Sequence, residues 1–231
     1  MGIKFKNKPV EEGDNNIFWT TMSDLLLGLA IIFMTLFVLA MSGFTQQNLT
    51  QKQRQMEMSK ELIEKLKEAN INAEVDSMTG DIKISDLELF EVGSYNLSAK
   101  GRDYLNRFTP IYIDTVFSKK EIIDEIENVV VQGHTDSQFF AGIKNKDEQY
   151  MRNMTLSLQR ANAIADYMFR TNYNREYSDK FKKILIVEGK SFSEPILVNG
   201  KEDFNKSRRV EMRLKIKKLN LSDVIFMGVG K

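Results

Sequence analysis

Asp24 is the only charged residue between Ile17 and Phe44. A carboxylate inside a bilayer costs about 2.5 to 3.5 kcal/mol on insertion scales, so such residues are usually kept for a proton relay, an ion site or a buried partner. The residue type and its apolar surroundings therefore predict a membrane protein that handles ions, with Asp24 as the ion relay.

The apolar stretch is long enough to place Asp24 inside a membrane. Leu25 to Phe44 supplies about 20 uncharged residues, the length that a helix rising 1.5 Å per residue needs to cross about 30 Å of hydrocarbon. If Trp19 marks the headgroup level, Asp24 lies about 7 Å deeper. We predict a single transmembrane helix over residues 17–44, preceded by a short N-terminal tail over residues 1–16.

Two other interpretations of this stretch remain open. Asp24 could be the N-cap of a shorter helix that starts at Leu25, with its side chain in the headgroup zone. Alternatively, the stretch could belong to a cleaved signal peptide, although it exceeds the 7 to 15 apolar residues of a signal core. Lysines before the span and basic residues after it leave the orientation undecided by charge alone.

Composition indicates one anchor followed by one folded domain. The 231 residues carry a formal net charge of +1, which gives no electrostatic reason to expect direct nucleic-acid binding. The chain has no Cys, which excludes disulfides and thiolate metal sites. We expect no metal, no cofactor and no enzymatic activity.

A polar helix is predicted after the anchor, over residues 45–72. Its apolar residues are spaced by seven, seven and three positions, a thin seam that is typical of a weak coiled-coil dimer: Leu49, Met56, Ile63 and Leu66. A single solvated stalk helix is the alternative.

Alternating strand and helix patterns predict a folded domain over residues 73–219, followed by a C-terminal tail over 220–231. Strands separated by helices indicate an α/β sandwich, a small mixed sheet with helices on one face. The predicted elements are a hairpin turning at Thr79-Gly80-Asp81, a helix capped by Ser98, a strand over 128–133, a helix over 156–169, and strands over 184–187 and 210–216.

Four blocks in this domain carry a family resemblance. They are Gly133-His134-Thr135-Asp136, Asn153-x-x-Leu156-Ser157-x-x-Arg160-Ala161, Gly189 with Glu194-Pro195-Ile196, and Asn205-x-Ser207-Arg208-Arg209-Val210-Glu211. Their types and order resemble the OmpA-type peptidoglycan-binding domain, over roughly residues 81–217.

The resemblance implies a site for the diaminopimelate side chain of cell-wall stem peptides, which ends in both an ammonium and a carboxylate. In that family the Asp of the His-Thr-Asp block pairs the ammonium and the Arg before Ala holds the carboxylate, and both match here as Asp136 and Arg160. Thr135, Asn153 and Leu156 match positions that line the same pocket. We also expect backbone amides at a helix start near Leu156 to favour anionic groups.

Other polar residues in these blocks have plainer interpretations. His134 is the sole histidine and lacks a nucleophile or second ligand at a telling spacing, so we expect it to pack beside the pocket. Arg208 and Arg209 could form a ligand-facing patch, but we expect them to take part in structural ion pairs with acidic residues. The segment between Asp136 and Asn153 is longer than in simple members of the family, as it is in MotB-type flagellar stator subunits.

The anchor and the domain together resemble B subunits of ion-driven stators. The block from Trp19 to Phe33, with Ser23-Asp24-Leu25-Leu26 at its centre, is most similar to the ZorB family of Zorya anti-phage defence systems. That resemblance implies a proton- or sodium-driven complex in which a B homodimer sits within five multi-span A subunits. It also implies an inner-membrane location, with the N-terminus cytoplasmic and the wall-binding domain periplasmic. A passive membrane-to-peptidoglycan tether and a flagellar-type stator subunit are the alternatives.

Overall fold

The computed structural model describes residues 12–218 except Val92 and Phe139. The predicted N-terminal tail as far as residue 11, Phe139 of the long segment and the C-terminal tail over 220–231 lie outside the described residues. The chain divides into two compact units, of which Thr50–Lys218 is the larger and the residues before Thr50 belong to the other.

Helix α1 runs over Glu12–Glu68 and contains the apolar stretch. Its most apolar window has a mean hydropathy of 2.6, so one described helix is long and apolar enough to cross a membrane. None of that window is buried inside the structure. Asp24 lies inside this helix, and the interpretation of Asp24 as the N-cap of a helix starting at Leu25 is wrong. The neighbouring Ser23 hydroxyl donates to the Trp19 carbonyl oxygen, 2.8 Å away, within the same helix.

The larger unit contains a five-stranded sheet in the order β1-β2-β7-β3-β4, in which β3 and β4 are parallel and the other neighbours antiparallel. A separate hairpin pairs β5 with β6. The elements after α1 are β1 (Glu74–Val75), β2 (Ile82–Ser85), α2 (Asp86–Leu89), α3 (Ala99–Phe117), α4 (Lys120–Ile123), β3 (Ile126–His134), α5 (Lys146–Arg170), α6 (Ser178–Ile184), β4 (Leu185–Gly189), β5 (Leu197–Val198), β6 (Lys201–Glu202), α7 (Phe204–Ser207) and β7 (Arg209–Ile216).

The predicted α/β sandwich is confirmed, because the two faces of the sheet differ in chemistry. Alternate residues of β3 and β7, such as Val129, Val131 and Met212, enter one hydrophobic core with the side chains of α3 and α5. The opposite face carries a polar row in register across all five strands: Glu74, Lys83, Glu211, Gln132 and Glu188. Helices α3 and α5 therefore pack on the apolar face.

The end of α1 belongs to this core. Met58, Leu62 and Leu66 recur every four residues and are at most 2% exposed, packed in the same core as the sheet. Arg54 reinforces this contact, with its Nη1 atom 2.6 Å from Glu125 Oε1. The compact unit thus begins at Thr50, well before the predicted boundary at residue 73. Leu66, which we assigned to a seam between two copies, is used within its own domain.

Helix α5 begins ten residues before the predicted start at residue 156, at Lys146. Asn145 caps it, and its side-chain oxygen accepts from the backbone N–H groups of Asp147 (2.8 Å) and Glu148 (3.3 Å). Leu156 therefore lies in the helix interior, where backbone N–H groups are already bonded. The expectation of free amides near Leu156 is wrong.

Candidate ligand site at the end of strand β3

Gly133 brings the predicted acid and base together. A Cβ atom at this position of β3 would lie only 2.0 Å from the backbone oxygen of Ser157 on α5, so only glycine allows the strand and helix to approach this closely. Asp136 follows the end of β3, and Arg160 lies one helical turn after Ser157. The close contact between β3 and α5 therefore sets the distance between the backbones that carry Asp136 and Arg160.

Arg160 is 3% exposed and held on three sides. Its Nη2 atom lies 3.2 Å from Asp86 Oδ2. Its Nε–H donates to the backbone oxygen of Ser94 at 2.9 Å, and its guanidinium lies 5.3 Å from the centre of the Phe90 ring. These contacts give the guanidinium a defined orientation.

Asp136 is 7% exposed and pairs with a second arginine. Arg208 donates from Nη1 to Asp136 Oδ2 and from Nη2 to the side-chain oxygen of Asn205. The other Asp136 oxygen accepts from the Gln138 backbone N–H at 3.1 Å. Both oxygens of the predicted acid are thus engaged within the domain.

These residues form one charged cluster: Asp86, Asp136, Arg160 and Arg208. Burial raises the pKa of Asp86 above its ordinary value, and the nearby Arg160 and Arg208 oppose that rise. Burial also lowers the pKa of Arg160, against the attraction of Asp86, although a guanidinium stays protonated at any physiological pH. Two acids and two bases balance each other, which is the charge pattern that suits a zwitterionic ligand.

The remaining predicted site residues differ in how they relate to this cluster. Thr135 precedes Asp136 and is 4% exposed, and its hydroxyl has no hydrogen-bond partner among the described residues. Asn153 is buried, and its amide donates to the Gln149 backbone oxygen at 3.1 Å within α5. Leu156 is half-buried on the same helix. Of the three, only Thr135 adjoins a member of the cluster in sequence, because it directly precedes Asp136.

Sequence reasoning missed Asp86 and did not separate the surroundings of Arg208 from those of Arg209. Both arginines form ion pairs: Arg208 pairs with Asp136. Arg209 Nε lies 2.6 Å from Glu211 Oε1, both residues of this second pair being buried on the outer face of β7. Strand alternation could have shown this, because Arg209 and Glu211 share a face whereas Arg208 precedes the strand. No local pattern marks Asp86, which lies far from Arg160 in sequence.

His134 is buried next to this pair, with 1% of its surface exposed. Its Nε2 atom lies 3.9 Å from Glu211 Oε2, and neither ring nitrogen has a hydrogen-bond partner among the described residues. Burial lowers the pKa of His134 to about 4. The ring is therefore neutral at physiological pH.

The long segment after Asp136 is tied to α5 and to the hairpin. Gln149 accepts from the Phe140 backbone N–H at 3.0 Å and donates to the Gln138 backbone oxygen at 2.5 Å. Ser137 donates its N–H to Glu202 of β6 at 3.3 Å. The residues flanking Asp136 are thus fixed from two directions. Within the described ranges, no group of three or more His, Cys, Asp or Glu could hold a metal ion.

Comparison with known proteins identifies the family. Residues 89–209 match the model of the OmpA family. Zorya protein ZorB from Escherichia coli (strain Crooks) is 30% identical over 220 residues, which cover 90% of this chain and 92% of that relative. The chain belongs to the ZorB family. A second Zorya protein ZorB, from Escherichia coli O139:H28, is 26% identical over 85% of this chain and 79% of its own length.

A solved structure supports the fold of this ZorB-family chain. A MotB-like protein from Desulfovibrio vulgaris superposes with a TM-score of 0.53 at 19% identity, over 74% of this chain and 96% of that one. Asp136, Arg160 and Arg208 lie inside the OmpA match, whereas Asp86 lies just ahead of it.

Proposed function

We propose that this chain is the B subunit of an ion-driven membrane stator in Zorya-type anti-phage defence. It anchors the complex to peptidoglycan through the charged cluster and carries the ion-relay carboxylate at Asp24. The observation that carries the proposal is the balanced charged cluster in a ZorB-family domain, behind a helix whose exposed apolar stretch contains one acid.

The cluster suits the zwitterionic end of a diaminopimelate side chain. The side chains of Arg208 and Asp136 are 26% and 10% exposed, whereas that of Arg160 is only 3% exposed. We infer that the ligand enters from the side of Arg208 and Asp136. Its carboxylate is received by the two guanidinium groups and its ammonium by Asp136, so that charge-assisted bonds to the ligand replace those between the two side chains.

Asp24 provides the relay. A membrane potential of about 100 mV supplies roughly 2.3 kcal/mol for each elementary charge that crosses, and a lone carboxylate in an apolar helix is the place where a proton or sodium ion can be taken up and released. In the proposed complex, two B subunits lie within five multi-span A subunits in the inner membrane. The N-terminus is cytoplasmic and the OmpA-family domain periplasmic.

Neither role needs covalent catalysis. The wall contact gives the complex a fixed point against which torque can act, and Asp24 carries the ion. A passive tether would need only the wall contact, so ion transport is the property that separates the two functions.

Retention on purified sacculi tests the wall contact. Asp136→Ala or Arg160→Ala in the full chain in detergent removes one charge-assisted contact and leaves the partner charge unpaired, at about 1.5 to 3 kcal/mol, or at least ten-fold in affinity. Arg170→Ala is the matched control, because Arg170 lies on the same helix and pairs only with the exposed Asp166. Unchanged retention of both test variants would move the ligand elsewhere.

Asp24→Asn tests the relay, because Asn is nearly isosteric and cannot carry a proton. We expect this variant to insert, to copurify with its multi-span partner and to lose all phage protection. Ser23→Ala is the control, since the Ser23 hydroxyl bonds only to its own helix in the structure. Full protection by Asp24→Asn would refute the relay and favour the tether.

A further inference from the structure

Asp86 touches both arginines of the charged cluster. It is the first residue of α2 and is 7% exposed. Its side-chain Oδ2 lies 3.2 Å from Arg160 Nη2, and its backbone N–H donates to the Arg208 backbone oxygen at 3.1 Å. One residue therefore links the two bases that the proposed ligand carboxylate would meet.

The ion pair between Asp86 and Arg160 matters more for the orientation of the guanidinium than for the stability of the domain. A buried ion pair is weak evidence for stabilisation, because removing two charges from water offsets most of their attraction. A guanidinium, however, recognises a carboxylate through a planar fork whose orientation must be correct. Among the three groups that hold Arg160, only Asp86 is charged, the others being the Ser94 carbonyl and the Phe90 ring.

The Asp86 carboxylate also keeps unused capacity. Its Oδ1 atom is buried and has no hydrogen-bond partner among the described residues. Buried carboxylate oxygens usually have hydrogen-bond partners, so this oxygen is an exception that a purely structural role for Asp86 does not explain. The ion pair of the Asp86 carboxylate is with Arg160, the arginine that the proposed wall ligand requires.

We propose that Asp86 is a positioning residue for wall binding: it holds the Arg160 fork in the orientation that receives a free ligand carboxylate. This inference rests on the proposed peptidoglycan site. It predicts selectivity, because a site built around a fixed fork loses donor–acceptor matches when the carboxylate is replaced by an amide. The domain therefore prefers stem peptides with free diaminopimelate over stem peptides in which that carboxylate is amidated.

The test compares two soluble muropeptides that differ only in that carboxylate, free or amidated. Binding of each to the full chain in detergent gives a ratio of dissociation constants. Wild type should favour the free form by about ten-fold or more, and Asp86→Asn should bring the ratio close to one, mainly by weakening the free form. Asp86→Glu, which keeps the charge, should restore part of the preference.

Glu88→Gln is the matched control, because Glu88 lies on the same short helix and pairs with Lys100 at 2.8 Å. It should keep the wild-type ratio. If Asp86→Asn does not fold, as judged by circular dichroism, Arg160→Lys keeps the charge without the fork and should lose the preference. A wild-type ratio in a folded Asp86→Asn or Arg160→Lys variant would overturn the inference while leaving wall binding intact. If wild type binds neither muropeptide, the proposed wall site fails and the inference with it.

Discussion

The buried His134 predicts a specific dependence of stability on pH. The unfolded chain protonates this ring near its ordinary pKa of 6.5, whereas the folded domain resists protonation until about pH 4. Between these values the unfolded state binds more protons, so the free energy of unfolding falls as the pH falls. A separation of about 2.5 pH units at 1.36 kcal/mol per unit gives about 3 kcal/mol, fully present above pH 6.5 and nearly all lost by pH 4.

Four charged groups also act on the pKa of this ring, but its burial outweighs each of them. Arg209 and Lys190 favour the neutral ring, and Glu211 and Glu194 favour the charged one, but burial is the largest cause and acts with the cations. The chain has one histidine, so no other imidazole contributes between pH 4 and 6.5.

Urea unfolding of the full chain in detergent, followed by circular dichroism, measures this effect. The test variant is His134→Gln, which cannot titrate. Carboxylates titrate in both proteins and cancel in the comparison. We expect wild type to lose about 3 kcal/mol relative to the variant between pH 7.5 and pH 4. A difference that stays constant with pH would refute the description of His134 as a neutral ring that burial keeps unprotonated.

Three further predictions concern packing and assembly. Gly133→Ala would place a methyl group against the Ser157 backbone oxygen, so α5 must move, and we expect a loss of about 1 to 3 kcal/mol in urea unfolding together with weaker retention on sacculi. Leu62→Ala should destabilise the larger unit by about 2 to 5 kcal/mol, and no change in its unfolding would show that the end of α1 is not part of the core. In the proposed dimer, Leu49→Cys should crosslink to its copy under mild oxidation in membranes, because Leu49 is 51% exposed, whereas Gln47→Cys on the opposite side of the helix should do so less. Equal crosslinking at both positions would argue for separate helices.

The sequence predicted the elements whose side chains alternate or repeat cleanly. The Val129–Val131 run, the alternation through β7 and the Ser98 cap each appear in the structure, the Ser98 hydroxyl accepting from the Gly101 N–H at 2.9 Å. In these segments, burial and local hydrogen bonds impose the same period that the sequence displays.

The elements that were misread depend on contacts without a clear period. The first turns of α5 are polar, so apolar spacing could not reveal them, and the Asn145 cap with acids after it supplies the signal instead. At the end of α1, spacings of seven suggested a seam, whereas the core takes the stripe spaced by four, from Met58 to Leu66. When a polar helix has two narrow rows of apolar residues, the sequence alone does not show which row packs against its own domain.

Only half of the charged cluster could be predicted, for a related reason. Asp136 and Arg160 belong to blocks whose resemblance to the OmpA-type domain implies a ligand. Asp86 acquires its role from tertiary contacts that join α2 to α5, and Arg208 acquires its role from lying one position before β7. Such long-range pairings leave no mark on the local sequence.

The central place of β7 in the sheet has a consequence for how the protein is made. This last strand pairs with β2 on one side and β3 on the other, and Arg208 immediately precedes it. Until β7 is synthesised, β2 and β3 have no strand between them and the charged cluster lacks one of its bases. Long-range pairing of this kind folds slowly. A chain that ends before β7 therefore contains helix α1 but no completed sheet, and it lacks the charged cluster that we propose as the ligand site.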